Sequence, residues 1–433
     1  MNRALRLGYE AAAQAARVTA AIAAQLAPQT DAKSLRALSA RRGIRRRYRA
    51  WASQHRARHR PLLWMHAPSV GEGLQARPVL ELVRSRHPEL QIAFTHFSPS
   101  AESFARGLDV DFRDYLPFDS AGDARATLDA LQPTALVFSK LDVWPVLTEL
   151  AHARGVRLGL VSATLAPASS RRSSLASAIL RDAYAMLDAV GAVDAADAKR
   201  LVSLGVRPRA IVVTGDTRYD QVWSRSARTD RAAPPLLQLD VDRPTVVAGS
   251  TWPADEAVVL PAFETVRRHP RLRDARLIIA PHEPTDEHLQ PIQRWATATG
   301  LTLARLAAAD RSTDVVLVDR VGVLGDLYAL GHVAFVGGGF HDAGLHSVLE
   351  PAAFGAPVLF GPKYHGSRDA VLLLDHLAAR YSGDVPSLAD AFTAWLVDDD
   401  LRRAAGERAR ELVRRGLGAA ERSLRLIEGL LKV

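Results

Sequence analysis

Cysteine is absent from the 433-residue chain, which excludes disulfides and thiolate metal sites. No GxxxxGK[ST] segment occurs, so there is no P-loop, and no GxGxxG opens the first strand–turn–helix unit, which argues against a nicotinamide enzyme. An HExxH pair or a clustered metal triad is also missing. Asp109-Val110-Asp111, Asp240-Val241-Asp242 and Asp398-Asp399-Asp400 resemble short acidic metal motifs. The first two sit in loop or linker sequence and the third in a C-terminal helical part. Neither a metal nor another cofactor is expected. No uncharged run approaches the roughly 20 apolar residues of a spanning helix. The N-terminus has neither a leucine-rich core nor a cleavage site of a secretory signal. There is no internal repeat.

Hydrophobic content is 48% and charged content 24%, ordinary for a globular protein, and the length points to two domains. Net charge is +9, which favours anionic partners: nucleic acid, phospholipid or a phosphorylated substrate. The charge is uneven. Eleven Lys or Arg lie between Lys33 and Arg60, with Tyr48 and Trp51 among them. Before them, residues 4–27 are alanine-rich and helix-prone. A helix lying on a membrane and followed by a basic patch fits this end, and so does an ordinary surface helix with a solvated charged face.

From Pro61 onward short apolar runs alternate with amphipathic segments. Strands are expected over Leu62 to Ala67, Gln91 to Phe97, Ala135 to Ser139, Leu158 to Ser162, Ala189 to Val193 and Ile211 to Thr214. Ser69 to Gly73 reads as a turn and Leu74 to Arg86 as a helix. The polar, proline-bearing stretch 224–244 breaks the rhythm and reads as a linker. Strands then resume at Thr245 to Ala248, Leu277 to Ala280, Asp314 to Val318, Val333 to Val336 and Pro357 to Phe360, and Ser367 to Ala379 reads as a helix. The expected organisation is α/β. A basic helical segment (1–60) precedes two Rossmann-like domains (61–223 and 245–433, the latter with terminal helices), with a cleft between them. Parallel sheets of this kind bind ligands at the carboxyl ends of their strands.

Polar motifs fall at those ends. The stretch FVGGGFHDAGLHSVLEPAAFGAPVLFGP, Phe335 to Pro362, has the layout strand, glycine loop, helix, strand, with a helix expected to open at Gly344 to Ser347 and carry Glu350. Its three glycines either let a backbone approach a phosphate or merely make tight turns. Glu72 follows the first strand, as a general base for a sugar hydroxyl or as an acid favoured by a helix dipole. Lys140 and Asp142 follow the expected strand Ala135 to Ser139, and Arg218 follows Gly215-Asp216. A cation there would stabilise a leaving phosphate or form an ordinary ion pair. Gly249, Ser250 and Thr251 offer N–H groups and hydroxyls to a phosphate, or cap a helix. His282, Glu283 and His346 would touch a base, ribose or phosphate, or be structural.

Taken in order, HAPSVGEG (66–73), YLPFD (115–119), DVWP (142–145), GDTRYD (215–220), GSTW (249–252), APHEP (280–284), FVGGGF (335–340) and GLHSVLEPAAFGAPVLFGP (344–362) resemble the 3-deoxy-D-manno-octulosonic acid (Kdo) transferases over roughly residues 35–425. The resemblance implies a metal-independent, inverting GT-B glycosyltransferase. It would move Kdo from CMP-Kdo to a lipid A precursor (lipid IVA) in lipopolysaccharide biosynthesis. It implies a peripheral or monotopic protein at the cytoplasmic face of the inner membrane, facing an anionic surface, with no nucleic-acid partner. Glu72 would be the base, and Asp142 and Arg218 would stabilise the transition state. Donor contacts would come from Ser250, Thr251, Pro281, His282, Gly322, Val323, Leu324, His346, Ser347, Val348, Leu349 and Glu350, with Glu350 on the ribose. The chain departs from many members in having Ser139 to Pro145, with Lys140, where they have a glutamate-rich METEXWP, and in having His282-Glu283 for Arg-His, Val323 for Glu and Ser347 for Asn. Alternatives are a GT-B enzyme using a UDP-sugar, as transferase or epimerase, and a non-catalytic anionic-ligand binding protein.

Overall fold

The computed structural model describes residues 3–26, 36–37, 39–167 and 169–433; Lys33 and residue 27, at the edges of the two N-terminal segments, lie outside the described residues. The chain forms two compact units, Met1–Gln221 with Leu417–Val433, and Val222–Gly416.

The first unit is built on a seven-stranded parallel sheet in the order β3-β2-β1-β4-β5-β6-β7. Its strands are β1 (Leu62–His66), β2 (Gln91–His96), β3 (Phe112–Tyr115), β4 (Ala135–Ser139), β5 (Arg157–Ala163), β6 (Ala189–Ala192) and β7 (Ile211–Val213). This is a doubly wound order whose direction reverses between β1 and β4. Every residue of β1, β2 and β4 is buried. Their continuous apolar runs are what a sheet covered on both faces requires. Leu62, Trp64 and Phe138 pack on one face, and Leu63, Met65 and Val137 on the other. That second face is finished by the helix Ala419–Leu431, through Leu424, Ile427 and Leu430. The expectation that the C-terminal helices all belong with the second domain is therefore corrected for this one.

The N-terminal end is helical over Arg3–Leu26. Tyr9 Oη donates to Asp119 (2.9 Å), and Arg6 pairs with Glu149, so one face of this helix is fastened to the unit. Leu7 and Val18 are exposed. The basic run is divided in its use. Arg41 is buried against the Phe97 ring, 4.0 Å from its centroid, and donates to the Leu116 carbonyl (2.8 Å). Arg45 pairs with Asp123, and Arg47 grips Asp114 through two bonds of 2.7 Å. Arg42, Arg46, Arg49 and Arg58 remain exposed.

The second unit carries another seven-stranded parallel sheet, in the order β10-β11-β9-β8-β12-β13-β14. Its strands are β8 (Thr245–Thr251), β9 (Arg276–Pro281), β10 (Leu303–Arg305), β11 (Val315–Leu317), β12 (Val333–Val336), β13 (Val358–Phe360) and β14 (Ala379–Tyr381). Here the reversal lies between β8 and β12.

Several expectations change. Val70 to Gly73 are not a turn but the first turn of the helix Val70–Arg86, which follows Ser69. Gly73 is required by packing, since a Cβ there would meet the Phe104 ring at 2.5 Å. The stretch 224–244 is not an open linker. The helix Thr217–Arg228 runs into it, and the helix Leu236–Leu239 buries both its end leucines beside Val247 and Ile278. The helix expected from Gly344 begins only at Leu349, and that expected to reach Ala379 stops at Asp375.

Candidate active site

In the first unit the reversal between β1 and β4 gathers Glu72, Lys140 and Asp142. Glu72 is the third residue of its helix, so its carboxylate faces the end of the sheet from a position that the helix dipole favours. The Ser69 hydroxyl donates to one carboxylate oxygen, and Lys140 Nζ donates to the other at 3.3 Å. Burial pushes the Glu72 carboxyl up, but the Ser69 and Lys140 donors outweigh it and hold it below the ordinary range. Lys140 reaches it from a left-handed backbone conformation (φ 66°) directly after β4.

Asp142 is held by a chain of donors that begins inside the sheet. Trp64 Nε1–H donates to the Thr95 hydroxyl (2.9 Å), which lies 3.0 Å from Nδ1 of the fully buried His66. His66 Nε2 is 3.1 Å from Asp142 Oδ2, and Trp144 Nε1–H donates to the same oxygen at 2.9 Å. Nδ1 also lies 3.0 Å from the Thr95 carbonyl. A neutral ring accepts the Thr95 hydroxyl proton, and a charged ring donates to the carbonyl. In both states Nε2–H faces Asp142. Arg171 adds a cation 3.6 Å away. Burial raises the Asp142 carboxyl, yet these donors leave it below the usual carboxylate range. His66, Trp144 and Arg171 were not singled out from sequence. HAPSVGEG and DVWP contain the first two, but a buried histidine next to a strand reads as core.

Arg218 stands apart from this group. It follows β7, three strands beyond β4, where it grips Asp216 through Nε (2.9 Å) and Nη2 (2.6 Å). The ion pair weighed as its ordinary role is present.

In the second unit the reversal between β8 and β12 brings Ser250, Thr251, Pro281, His282 and His346 close together. The ladder between β8 and β9 shifts register between Gly249 and Thr251, and Ser250 takes a left-handed conformation (φ 54°). Thr251 turns inward to Glu256 (2.9 Å), so its hydroxyl is occupied. Four flat rings pack beside these residues. Trp252 stacks on His341 at 4.4 Å and His282 on His346 at 4.4 Å, while Trp252 Nε1–H donates to His346 Nε2 (3.2 Å). That bond requires a bare Nε2. Burial and the neighbouring His282 and His341 accordingly push the His346 imidazole down to about 4. Trp252 and His341 escaped notice in the sequence, although GSTW contains the first.

The glycine loop resolves toward packing. Gly337 N–H bonds to Gly249 O (2.9 Å), while Gly338 and Phe340 N–H both go to the fully buried Asp255 carboxylate (2.8 and 3.0 Å). A Cβ on Gly337, Gly338 or Gly339 would run into the backbone of Ser250, Gly344 or Gly361 respectively. These three glycines permit backbone to pass backbone, and the N–H groups bonded in this way are taken by the protein's own carbonyl and carboxylate oxygens.

Gly322 lies in a bend after β11 at φ 91°, Val323 caps the next helix, and Leu324 opens that helix, Leu324–Leu327. Ser347 is exposed, whereas Val348 and Leu349 are buried and can offer only backbone. Glu350 is partly buried in the first turn of the helix Leu349–Ala353. Burial raises its carboxyl, Arg225 opposes the rise and Asp326 adds to it. Val323 packs beside the Leu236–Leu330 cluster, an apolar side chain at a motif position. The acidic triplets serve locally: Asp111 pairs with Arg84, Asp240 with Arg231, and Asp398 caps a helix.

Two doubly wound parallel units, each with polar residues gathered where its strand order reverses, define a protein of the GT-B class. Solved structures share this fold. UDP-GlcNAc 2-epimerase from Neisseria meningitidis aligns with a TM-score of 0.63 at 14% identity, covering 86% of this chain and 100% of that one. A putative UDP-N-acetylglucosamine 2-epimerase from Listeria monocytogenes gives 0.62 at 14%, covering 86% and 97%. At such identities the likeness concerns fold alone. Sequence comparison is more specific. Residues 13–221 match the family model for 3-deoxy-D-manno-octulosonic-acid transferase. The 3-deoxy-D-manno-octulosonic acid transferase of Bordetella pertussis is 31% identical over 395 residues, 85% of this chain and 87% of that protein. That of Haemophilus influenzae is 25% identical over 379 residues, 86% and 87%. The chain belongs to the 3-deoxy-D-manno-octulosonic acid transferase family, and is a glycosyltransferase.

Proposed function

We propose that the protein transfers Kdo from CMP-Kdo to a lipid A precursor, with inversion at the anomeric carbon. The observation that carries this reading is the Glu72 carboxylate at the strand-order reversal of the first unit, ionised at neutral pH and within reach of solvent. It accepts the proton of an acceptor hydroxyl while the hydroxyl oxygen attacks the anomeric carbon and the bond to CMP breaks. Asp142, fixed by His66 and Trp144, orients the reacting sugar, and Arg218 offsets charge on the departing phosphate.

The donor residues are those of the second unit: Ser250, Pro281, His282, the segment Gly322 to Leu324, His346 and Ser347, with Glu350 accepting the ribose hydroxyls. Thr251 supports the site from behind, since its hydroxyl is taken by Glu256. Membership of a family named for Kdo transfer favours this donor over a UDP-sugar, for which only fold likeness speaks.

The reaction belongs at the inner face of a membrane. Among the described residues no helix is long and apolar enough to cross one. The N-terminal helix, with exposed Leu7 and Val18, and the outward Arg42, Arg46 and Arg49 suit peripheral attachment to an anionic surface. The test is mass analysis of products after incubation with CMP-Kdo and lipid IVA. Addition of Kdo with release of CMP supports the reading. Release of CMP without a lipid product, or turnover only of a UDP-sugar, overturns it.

A further inference from the structure

Arg225 lies in the helix Thr217–Arg228, within a stretch that reads as polar spacer. In the structure Gly322 and the short helix Leu324–Leu327 that follows it are built around its guanidinium. Nε donates to Asp326 Oδ1 (2.9 Å), and Nη2 donates to the Gly322 carbonyl (3.1 Å). The Thr229 hydroxyl, one helical turn on, lies 3.1 Å from the same Asp326 oxygen. A Cβ on Gly325 would overlap the guanidinium, and Gly322 holds a positive φ that other residues rarely adopt. Two glycines thus shape this segment, Gly325 in the helix by leaving room for a single arginine and Gly322 before it by its backbone conformation.

The same guanidinium acts on Glu350. That carboxylate makes no side-chain hydrogen bond or ion pair recorded among the described residues. The groups that bear on it electrostatically are Arg225, Asp326 and the buried Tyr328 phenol. Arg225 is the one cation among them, set against burial and an acidic neighbour.

We propose that Arg225 is a positioning residue of the donor site, which holds Gly322 and Asp326 in place and lends its charge to Glu350, the acceptor of a pair of ribose hydroxyls. This rests on the reading of Glu350 as the ribose ligand. The Arg225 fork serves two partners at once, which a lysine ammonium reproduces in charge but not in geometry. At Glu350 the Arg225 charge opposes that of Asp326. Removing the cation leaves Glu350 facing burial and Asp326 alone, so protonation intrudes at higher pH.

The test is CMP binding to the full chain by titration calorimetry between pH 5.5 and 8.5, with 2′-deoxy-CMP as second probe. Arg225→Gln is expected to weaken CMP binding more at pH 6 than at pH 8, by at most about tenfold, the limit for a one-unit upward move of the acid limb. Arg225→Lys is expected to keep the wild-type pH profile at a lower affinity throughout. An Arg225→Gln profile parallel to wild type, or Lys and Gln variants weakened equally at every pH, overturns the proposal. The reading beneath it is tested separately. Wild type should prefer CMP to its 2′-deoxy form, and Glu350→Gln should lose that preference. A preference that survives in Glu350→Gln, or wild type without CMP binding, overturns the ribose assignment itself.

Discussion

Lys140 Nζ stands 3.3 Å from Glu72 Oε1, so the carboxylate proposed as the base is engaged by a cation before any substrate arrives. A depressed carboxyl is charged throughout the neutral range but is a weaker proton acceptor. Its contribution to folding is present above its ordinary value and is lost as pH falls through its lowered folded value. Lys140→Met should therefore move the acid limb of kcat/KM for CMP release to higher pH, and reduce the stability gained on raising pH from about 3 to 5. A pH–rate profile unchanged by this substitution would show that Lys140 does not tune the base.

Glu72→Gln keeps the shape and removes the proton acceptor. CMP release should fall about 10²–10⁴-fold. CMP affinity should be unchanged, because the proposed donor residues belong to the other unit. Single-turnover kinetics beside calorimetry separate the two quantities.

Asp255→Ala would strand the buried N–H of Gly338, that of Phe340 and that of Trp252, all of which now donate to its carboxylate. At about 1–3 kcal/mol for each buried donor left unpaired, a loss of about 3 kcal/mol or more is expected, read as a drop in the urea midpoint. Asp255→Asn should lose less.

His346, pushed down to about 4, stays neutral while the unfolded chain takes up a proton near 6.5. The unfolded state then binds more protons between these values, so stability is present above pH 6.5 and is lost as pH falls toward 4. His346→Gln should flatten part of that slope in thermal melts. An identical slope in the variant counts against a neutral His346.

Charge reversal of Arg42, Arg46 and Arg49 to Glu should weaken cosedimentation with vesicles containing anionic phospholipid and remove most of its salt dependence. Arg41, Arg45 and Arg47 are unsuitable for this comparison, since each is tied into the first unit.

Much of the fold could be read before any coordinates, because both sheets are mostly buried runs such as Leu62–His66 and Val333–Val336 that carry no competing pattern. The strands that escaped, Phe112–Tyr115, Leu303–Arg305 and Ala379–Tyr381, are short, with charged or exposed residues in each, and all three lie at a sheet edge. The site was legible where a residue type is itself unusual, as at Glu72 in a glycine-flanked segment. It was illegible where the partner lies far along the chain. Asp255 reaches Gly338 across 83 residues and Phe340 across 85. Three successive glycines mean the same in a sequence whether they admit a phosphate or another stretch of backbone. Only the neighbouring Ser250, Gly344 and Gly361 decide between these.

The helix Ala419–Leu431 covers a face of the first unit, yet the whole second unit is encoded between them. On the ribosome the first sheet is synthesised early but must wait, with the part of its face around Val137 and Gly159 uncovered, until the last turns of the chain emerge. The second unit has no such dependency and can complete itself first. Translation order and order of maturation are therefore inverted, and a nascent chain stalled before residue 419 would present an apolar face suited to a holdase chaperone.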